Sequence, residues 1–134
     1  MIGIVIVTHG RLAEELVAAT EHVVGPLDSC LAVCIGADDD IEKRRDDIRD
    51  AIQQADTGSG VVIITDMFGG TPSNLSISLL EKGRVEVIAG ANLPMLIKLA
   101  EARTRLGLRE LADCASEAGK RYIAVASRIL DDAE

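Results

Sequence analysis

The chain has 134 residues, 48% of them hydrophobic and 27% charged, with a formal net charge of −8. That composition fits one folded domain over 1–134 with a sizeable core. An acidic chain with no tryptophan, one tyrosine and one phenylalanine has neither the basic surface nor the stacking aromatics of a nucleic-acid binder. No apolar run approaches the ~20 residues of a membrane span, and the first residues lack a basic n-region and cleavage site. The expectation is a cytoplasmic protein without membrane insertion.

Strand and helix signals alternate along the chain. Residues 2–8, which include Gly3-Ile4-Val5-Ile6-Val7, form a β-branched run that reads as a strand buried on both faces. Residues 11–24 put Leu12, Leu16, Ala19 and Val23 on one helical face, and Gly25-Pro26 ends that helix. Residues 30–35 read as a second strand. Residues 38–55 carry Ile41, Ile48, Ala51 and Ile52 as a helical stripe. Asp38-Asp39-Asp40 stands at its start, suited to capping and to the helix dipole more than to a metal. After the Thr57-Gly58-Ser59-Gly60 loop come a strand at 61–65, a helix at 72–82 and a strand at 85–89. Residues 94–106 and 108–117 read as two more helices, the second ended by Gly119. Tyr122-Ile123-Ala124-Val125-Ala126 fits a last strand, with a continued helix as the alternative.

Such alternation predicts an α/β fold, a parallel sheet with helices on both faces. Right-handed crossovers leave few topologies, of which the flavodoxin-like order 2-1-3-4 is common. Strands one and three are then neighbours, and ligands bind beyond their carboxyl ends. The first strand ends in Thr8-His9-Gly10 and the third in Asp66, followed by Met67-Phe68-Gly69-Gly70-Thr71-Pro72.

A histidine, a carboxylate and a glycine-rich helix start at one crevice suit a histidine that carries a phosphoryl group. A carboxylate accepting from Nδ1–H fixes the tautomer and leaves Nε2 as nucleophile. It also stabilises the positive charge that develops on attack, and Asp66 is placed for that role. Gly69, Gly70 and Thr71 offer phosphoryl-binding donors, with Thr71 a candidate cap and Pro72 suited to the first helical position. The chemistry needs neither metal nor nucleotide. Each piece also has a plainer reading, His9 as a satisfied polar residue, Gly-Gly-Thr-Pro as a turn and Asp66 as a loop cap. His22 reads as a surface residue. Cys30, Cys34 and Cys114 lack paired spacing and read as reduced thiols.

Other classes fit less well. A receiver-like domain typically needs an acidic pair after its first strand, where this chain has Thr8-His9. A nucleotide or flavin module needs a glycine fingerprint or a P-loop lysine, and both are missing. No serine or cysteine follows a strand in the manner of a hydrolase nucleophile.

Three segments together carry a resemblance. They are Ile4-Val5-Ile6-Val7-Thr8-His9-Gly10, Thr65-Asp66-Met67-Phe68-Gly69-Gly70-Thr71-Pro72-Ser73-Asn74, and Val87-Ile88-Ala89-Gly90-Ala91-Asn92-Leu93-Pro94-Met95-Leu96. They resemble the mannose-type enzyme IIA domain of the bacterial phosphoenolpyruvate:sugar phosphotransferase system. The resemblance runs from residue 2 to about 126. It implies that His9 accepts a phosphoryl group on Nε2 from the phosphocarrier HPr and passes it to a IIB component during sugar uptake, with Asp66 on the other ring nitrogen. It also implies a homodimer that exchanges a C-terminal antiparallel strand, for which residues 122–126 are the candidate. Many members continue through a linker into a IIB domain. This sequence stops at Glu134, so a separate IIB chain is expected, or else a regulatory IIA protein with no dedicated sugar permease.

Overall fold

The computed structural model describes residues 1–132. Its elements run β1 (Gly3–His9), α1 (Leu12–Val24), β2 (Cys30–Ile35), α2 (Ile41–Ala55), β3 (Val61–Thr65), α3 (Thr71–Ile77), β4 (Val85–Ala89), α4 (Leu93–Ala102), α5 (Leu108–Arg121) and α6 (Ala126–Asp132). The four strands make one sheet in the order β2-β1-β3-β4, and every pairing is parallel. This is the order expected from the crossovers.

Strand periodicity divides the core into two layers. Ile4 and Ile6 of β1, with Val62 and Ile64 of β3, pack against Ala13, Leu96, Leu99 and Leu111. Val5 and Val7, with Val61 and Ile63, pack on the other face against Ile48, Ile52 and Leu75. Both faces are covered by helices, which is why these strands read as unbroken apolar runs.

Several helices depart from expectation. The buried residues of α1 are Ala13 and Thr20, with Leu16 and Val17 packed beside them, while Leu12 and Val23 are exposed. The inward face is thus turned from the expected Leu12-Leu16-Ala19-Val23 stripe. Thr20 can be buried because its hydroxyl donates to the Leu16 carbonyl at 2.7 Å. In α2 the buried stripe is Ile48, Ala51, Ile52 and Ala55, and Ile41 is exposed. Asp40 caps this helix, its carboxylate accepting from the Glu42 and Lys43 N–H groups.

The third helix ends at Ile77, short of the expected 82. Ser76 and Ser78 hydroxyls donate to the Pro72 and Leu75 carbonyls at 2.7 and 2.6 Å, the kind of local bond that competes with helix continuation. Gly119 does not end α5, which runs on to Arg121. It is instead a point of close approach, since a Cβ there would lie 3.1 Å from Met95 Cε and 3.3 Å from Asn92 Oδ1.

The strand expected over 122–126 is not formed. Residues 122–125 are irregular and Ala126 opens α6. Among the described residues, the edges of the sheet, β2 and β4, pair with no part of this tail. Tyr122, Ile123, Val125, Ile129 and Leu130 stand exposed. All three cysteines are free, and burial pushes the Cys30 thiol up to about 11, against a smaller opposing pull from Arg103.

Candidate functional site

The end of β1 splits its side chains between the two layers. Thr8, fully buried, turns to the α1 side, where its Oγ1 accepts the Ala13 N–H at 2.7 Å. Arg11, the N-cap of α1, makes no side-chain cap bond, so Thr8 supplies from the strand what the cap residue does not. This role was not read from the sequence; its signal was a hydroxyl residue just before the β1–α1 turn. His9, the next residue, is directed toward the β3–α3 loop and has 51% of its side chain exposed.

Register sets the neighbour. Val7 pairs with Thr65, and the strands' next residues are Thr8 and Asp66. The Asp66 carboxylate reaches back, its Oδ2 lying 2.8 Å from His9 Nδ1 and accepting the His9 backbone N–H at 3.0 Å. Its Oδ1 accepts the Met67 N–H at 3.1 Å. Partial burial of Asp66 works to raise its pKa, but the hydrogen bonds from the His9 ring and backbone outweigh it. The carboxyl is held below its ordinary value of 3.8. An ionised carboxylate only accepts, so Nδ1 is the donor in this pair, and in a neutral imidazole held this way the lone pair is on Nε2.

The loop returns to the imidazole on its other side. Gly70 has φ 91° and ψ 172°, a left-sided conformation open to glycine at little cost. A Cβ there would lie 3.2 Å from His9 Nε2 and 3.3 Å from Cε1. Gly70 is the N-cap of α3 and, lacking a side chain, leaves the first N–H groups of that helix without a side-chain acceptor. Thr71, expected as a candidate cap, is instead the first helical residue, and Pro72 occupies the second position. Gly69 also has positive φ, 87°. His9, Asp66 and Gly70 are thus in contact range, with Gly69 and Thr71 the chain neighbours of Gly70.

His22 is exposed on α1. Asn92 caps α4, accepting from the Met95 N–H at 3.1 Å, and donates to the Gly119 carbonyl at 2.8 Å. Arg11 pairs only loosely with Glu14, at 3.5 Å. Among the described residues no group of three or more His, Cys, Asp and Glu is arranged to hold a metal, and no helix is long and apolar enough to cross a membrane. A cleft of about 920 Å³ lies along β4, lined among others by Phe68, Leu80, Ile88, Leu108 and Arg109.

The fold is an α/β one with a four-stranded parallel sheet in the order 2-1-3-4, and a carboxylate-held imidazole stands beside a helix start at the carboxyl ends of its middle strands. A family model described as "PTS system fructose IIA component" matches residues 3–115. The chain therefore belongs to the mannose/fructose/sorbose family of phosphotransferase-system IIA components.

Among its relatives, the mannose-specific EIIAB component of Escherichia coli (strain K12) is 33% identical over 103 residues, 76% of this chain. The match covers 32% of that relative, so the chain spans about a third of its length. The putative phosphotransferase enzyme IIA component YadI of the same strain is 33% identical over 122 residues, 89% of this chain and 82% of that one. The mannose/sorbose-specific IIA subunit from Enterococcus faecalis superposes with a TM-score of 0.81 at 26% identity, covering 92% of this chain and 93% of that one.

Proposed function

We propose that this protein is a phosphocarrier in which His9 Nε2 takes a phosphoryl group from phospho-HPr and passes it to a IIB component during sugar uptake. The observation that carries the reading is the 2.8 Å contact between His9 Nδ1 and Asp66 Oδ2, which leaves the opposite nitrogen as the free nucleophile. In the forward step the Nε2 lone pair forms a bond to phosphorus as the P–N bond of the donor phosphohistidine breaks. The donor leaves as a neutral imidazole, and Nδ1 keeps its hydrogen on Asp66. The second step repeats the displacement with the acceptor's nucleophile.

Asp66 stabilises the cationic phosphoimidazole that forms. The phosphoryl oxygens need donors because the transferring group is highly charged. The backbone N–H groups at Gly69, Gly70 and Thr71 are assigned that part. Glycine at position 70 also keeps the approach to Nε2 open, given where a Cβ would fall. No metal or cofactor enters the mechanism.

The whole chain, 1–134, acts in this reading as a single cytoplasmic domain and as a homodimer. Support for the dimer comes from two surfaces of the single chain. The outer edge of β4 borders a cleft containing Ile88, Leu80 and Leu108, and the tail leaves Tyr122, Ile123 and Val125 exposed. Residues 122–126 of one copy, laid antiparallel on β4 of the other, satisfy both.

The test is intact mass after incubation with phosphoenolpyruvate, enzyme I and HPr, for wild type and His9→Ala. A gain of ~80 Da in wild type alone, the mass of one transferred phosphoryl group, supports His9 as the acceptor. No gain in folded wild type, or an equal gain in His9→Ala, overturns it.

A further inference from the structure

The sheet has two open edges, and the dimer proposed above uses only β4. The other edge is β2, the outermost strand in the order β2-β1-β3-β4. Its inner side is taken by β1: the Ser29 carbonyl accepts from Ile4 and the Ile35 carbonyl from Gly10, with Ile4 opposite Cys30 and Thr8 opposite Cys34. Alternate residues of a strand turn their backbone groups to alternate sides. Leu31, Val33 and Ile35 therefore bond β1, while Cys30, Ala32 and Cys34 turn their N–H and C=O groups outward. Among the described residues no strand pairs with that outer row.

The outer row is the floor of a groove of about 440 Å³. Glu14 of α1 lines it on one side, and Arg44, Asp47, Asp50 and Gln54 of α2 line it on the other. Arg44 is already bound to Asp47, its Nη1 lying 3.1 Å from Oδ2. Asp50 has no ion-pair partner among the described residues. Carboxylates outnumber the one guanidinium, so the groove is acidic.

We propose that this groove docks a cationic, extended segment of a partner protein, which adds to β2 as a further strand of the sheet. In strand addition the main-chain hydrogen bonds supply affinity and every second side chain supplies selectivity. The six residues of β2 match a segment of about six residues, ~20 Å long. Lysine or arginine at alternate positions then runs along the α2 wall. Asp47 and Asp50, three apart in the helix, share a face there.

Charge decides the occupant. A second copy bound through this edge would set the same patch against itself, Glu14, Asp47 and Asp50 meeting their own kind in a chain of net charge −8. Like charges across paired strands destabilise the pairing. Charges on an edge keep identical edges apart, and the same charges attract a segment of opposite sign. The phosphoryl site lies elsewhere, since His9 meets Asp66 at the ends of β1 and β3, and the outer side of β2 faces away from β3.

The experiment titrates the isotope-labelled full chain with two capped heptapeptides and follows amide exchange by NMR. One peptide alternates lysine with valine and the other glutamate with valine. The lysine peptide, at tenfold over its Kd, should slow exchange at Cys30, Ala32 and Cys34 about 10-fold, as mass action requires. Ala32→Pro removes one outward N–H and spares the β1 ladder, because proline is tolerated where an edge N–H faces out. It should weaken the lysine peptide about 5-fold or more. Asp50→Lys, a change on the exposed side of α2, should weaken the lysine peptide about 3-fold and strengthen the glutamate peptide. Equal affinity of wild type for the two peptides overturns the proposal, as does unchanged exchange at the three amides with millimolar lysine peptide. So does protection that maps to β4, or a folded Asp50→Lys protein whose preference is unaltered. Protection of the three amides that grows with protein concentration, without peptide, would assign the groove to a second copy instead.

Discussion

His9 and Asp66 are joined twice through one carboxylate oxygen: Asp66 Oδ2 meets the ring Nδ1 at 2.8 Å and the His9 backbone N–H at 3.0 Å. A single oxygen therefore fixes both where the residue sits and which way its ring faces. The arrangement depends on two neighbouring parallel strands whose register sets Asp66 opposite Thr8, one step short of His9.

Asp66→Ala should slow phosphoryl transfer to His9 by at least ~10-fold, because removing the partner of an imidazole N–H frees the tautomer and rotation of the ring. The fold should persist at a cost of about 1 kcal/mol for the lost hydrogen bonds. Stopped-time phosphorylation assays measure the first and urea denaturation the second. Wild-type rates in a folded Asp66→Ala protein would reduce Asp66 to a turn residue.

Gly70→Ala tests the other side of the ring. The added Cβ would sit 3.2 Å from Nε2, in the path of an incoming phosphorus, and at φ 91° and ψ 172°, a region kept almost to glycine, the new residue is strained by about 1–3 kcal/mol. Transfer should fall much further than stability. The diagnostic result is a folded variant, by circular dichroism, that gains no phosphoryl mass in the time wild type is fully converted. A variant as fast as wild type would show that the loop can withdraw from Nε2.

The centre of this site was legible in the sequence because parallel sheets bury both strand faces, so β1 and β3 announce themselves as apolar runs and their first polar residues mark the carboxyl ends. Right-handed crossovers then make His9 and Asp66 neighbours. The inward face of α1 was not legible, since Thr20 looks polar and is buried only because its hydroxyl bonds within its own helix. Gly119 looked like a helix end because glycine usually marks one; its cause here is tertiary, the approach of Met95 and Asn92. The tail failed for a third reason, since Tyr122, Ile123 and Val125 have strand propensity yet join neither edge of the sheet in their own chain.

Gly3→Ala should destabilise the protein without touching the site. A Cβ on Gly3 would lie 2.8 Å from Ala55 Cβ and closer still to the Ala55 carbonyl, where α2 ends against the start of β1. Backbone cannot yield as a flexible side chain does, so overpacking of about 1–3 kcal/mol is expected. A chain of this size should lose roughly 3 °C or more of Tm per kcal/mol. Phosphorylation of His9 below the new midpoint should be unimpaired; an unchanged Tm would mean α2 shifts freely.

Acid should weaken a second carboxylate, far from His9. Asp56 Oδ1 accepts the Gly58 and Gly60 N–H groups at 2.8 and 3.3 Å, and its Oδ2 meets Arg84 Nε at 3.3 Å. The bond from Gly58 is the largest influence and lowers the pKa; desolvation opposes it, and Gly60 and Arg84 add to the lowering, so the carboxyl stays below 3.8. A group whose folded pKa is depressed contributes stability that is complete above its unfolded value and is lost as pH falls through the folded one. The urea midpoint of Asp56→Ala should therefore lie furthest below wild type at neutral pH. The gap should stay near that value down to about pH 5, then narrow as pH falls through and below 3.8, as expected from the linkage of proton binding to folding. A gap that is constant across that range would mean Asp56 acts by shape alone; one that widens in acid would mean its pKa is raised in the folded state.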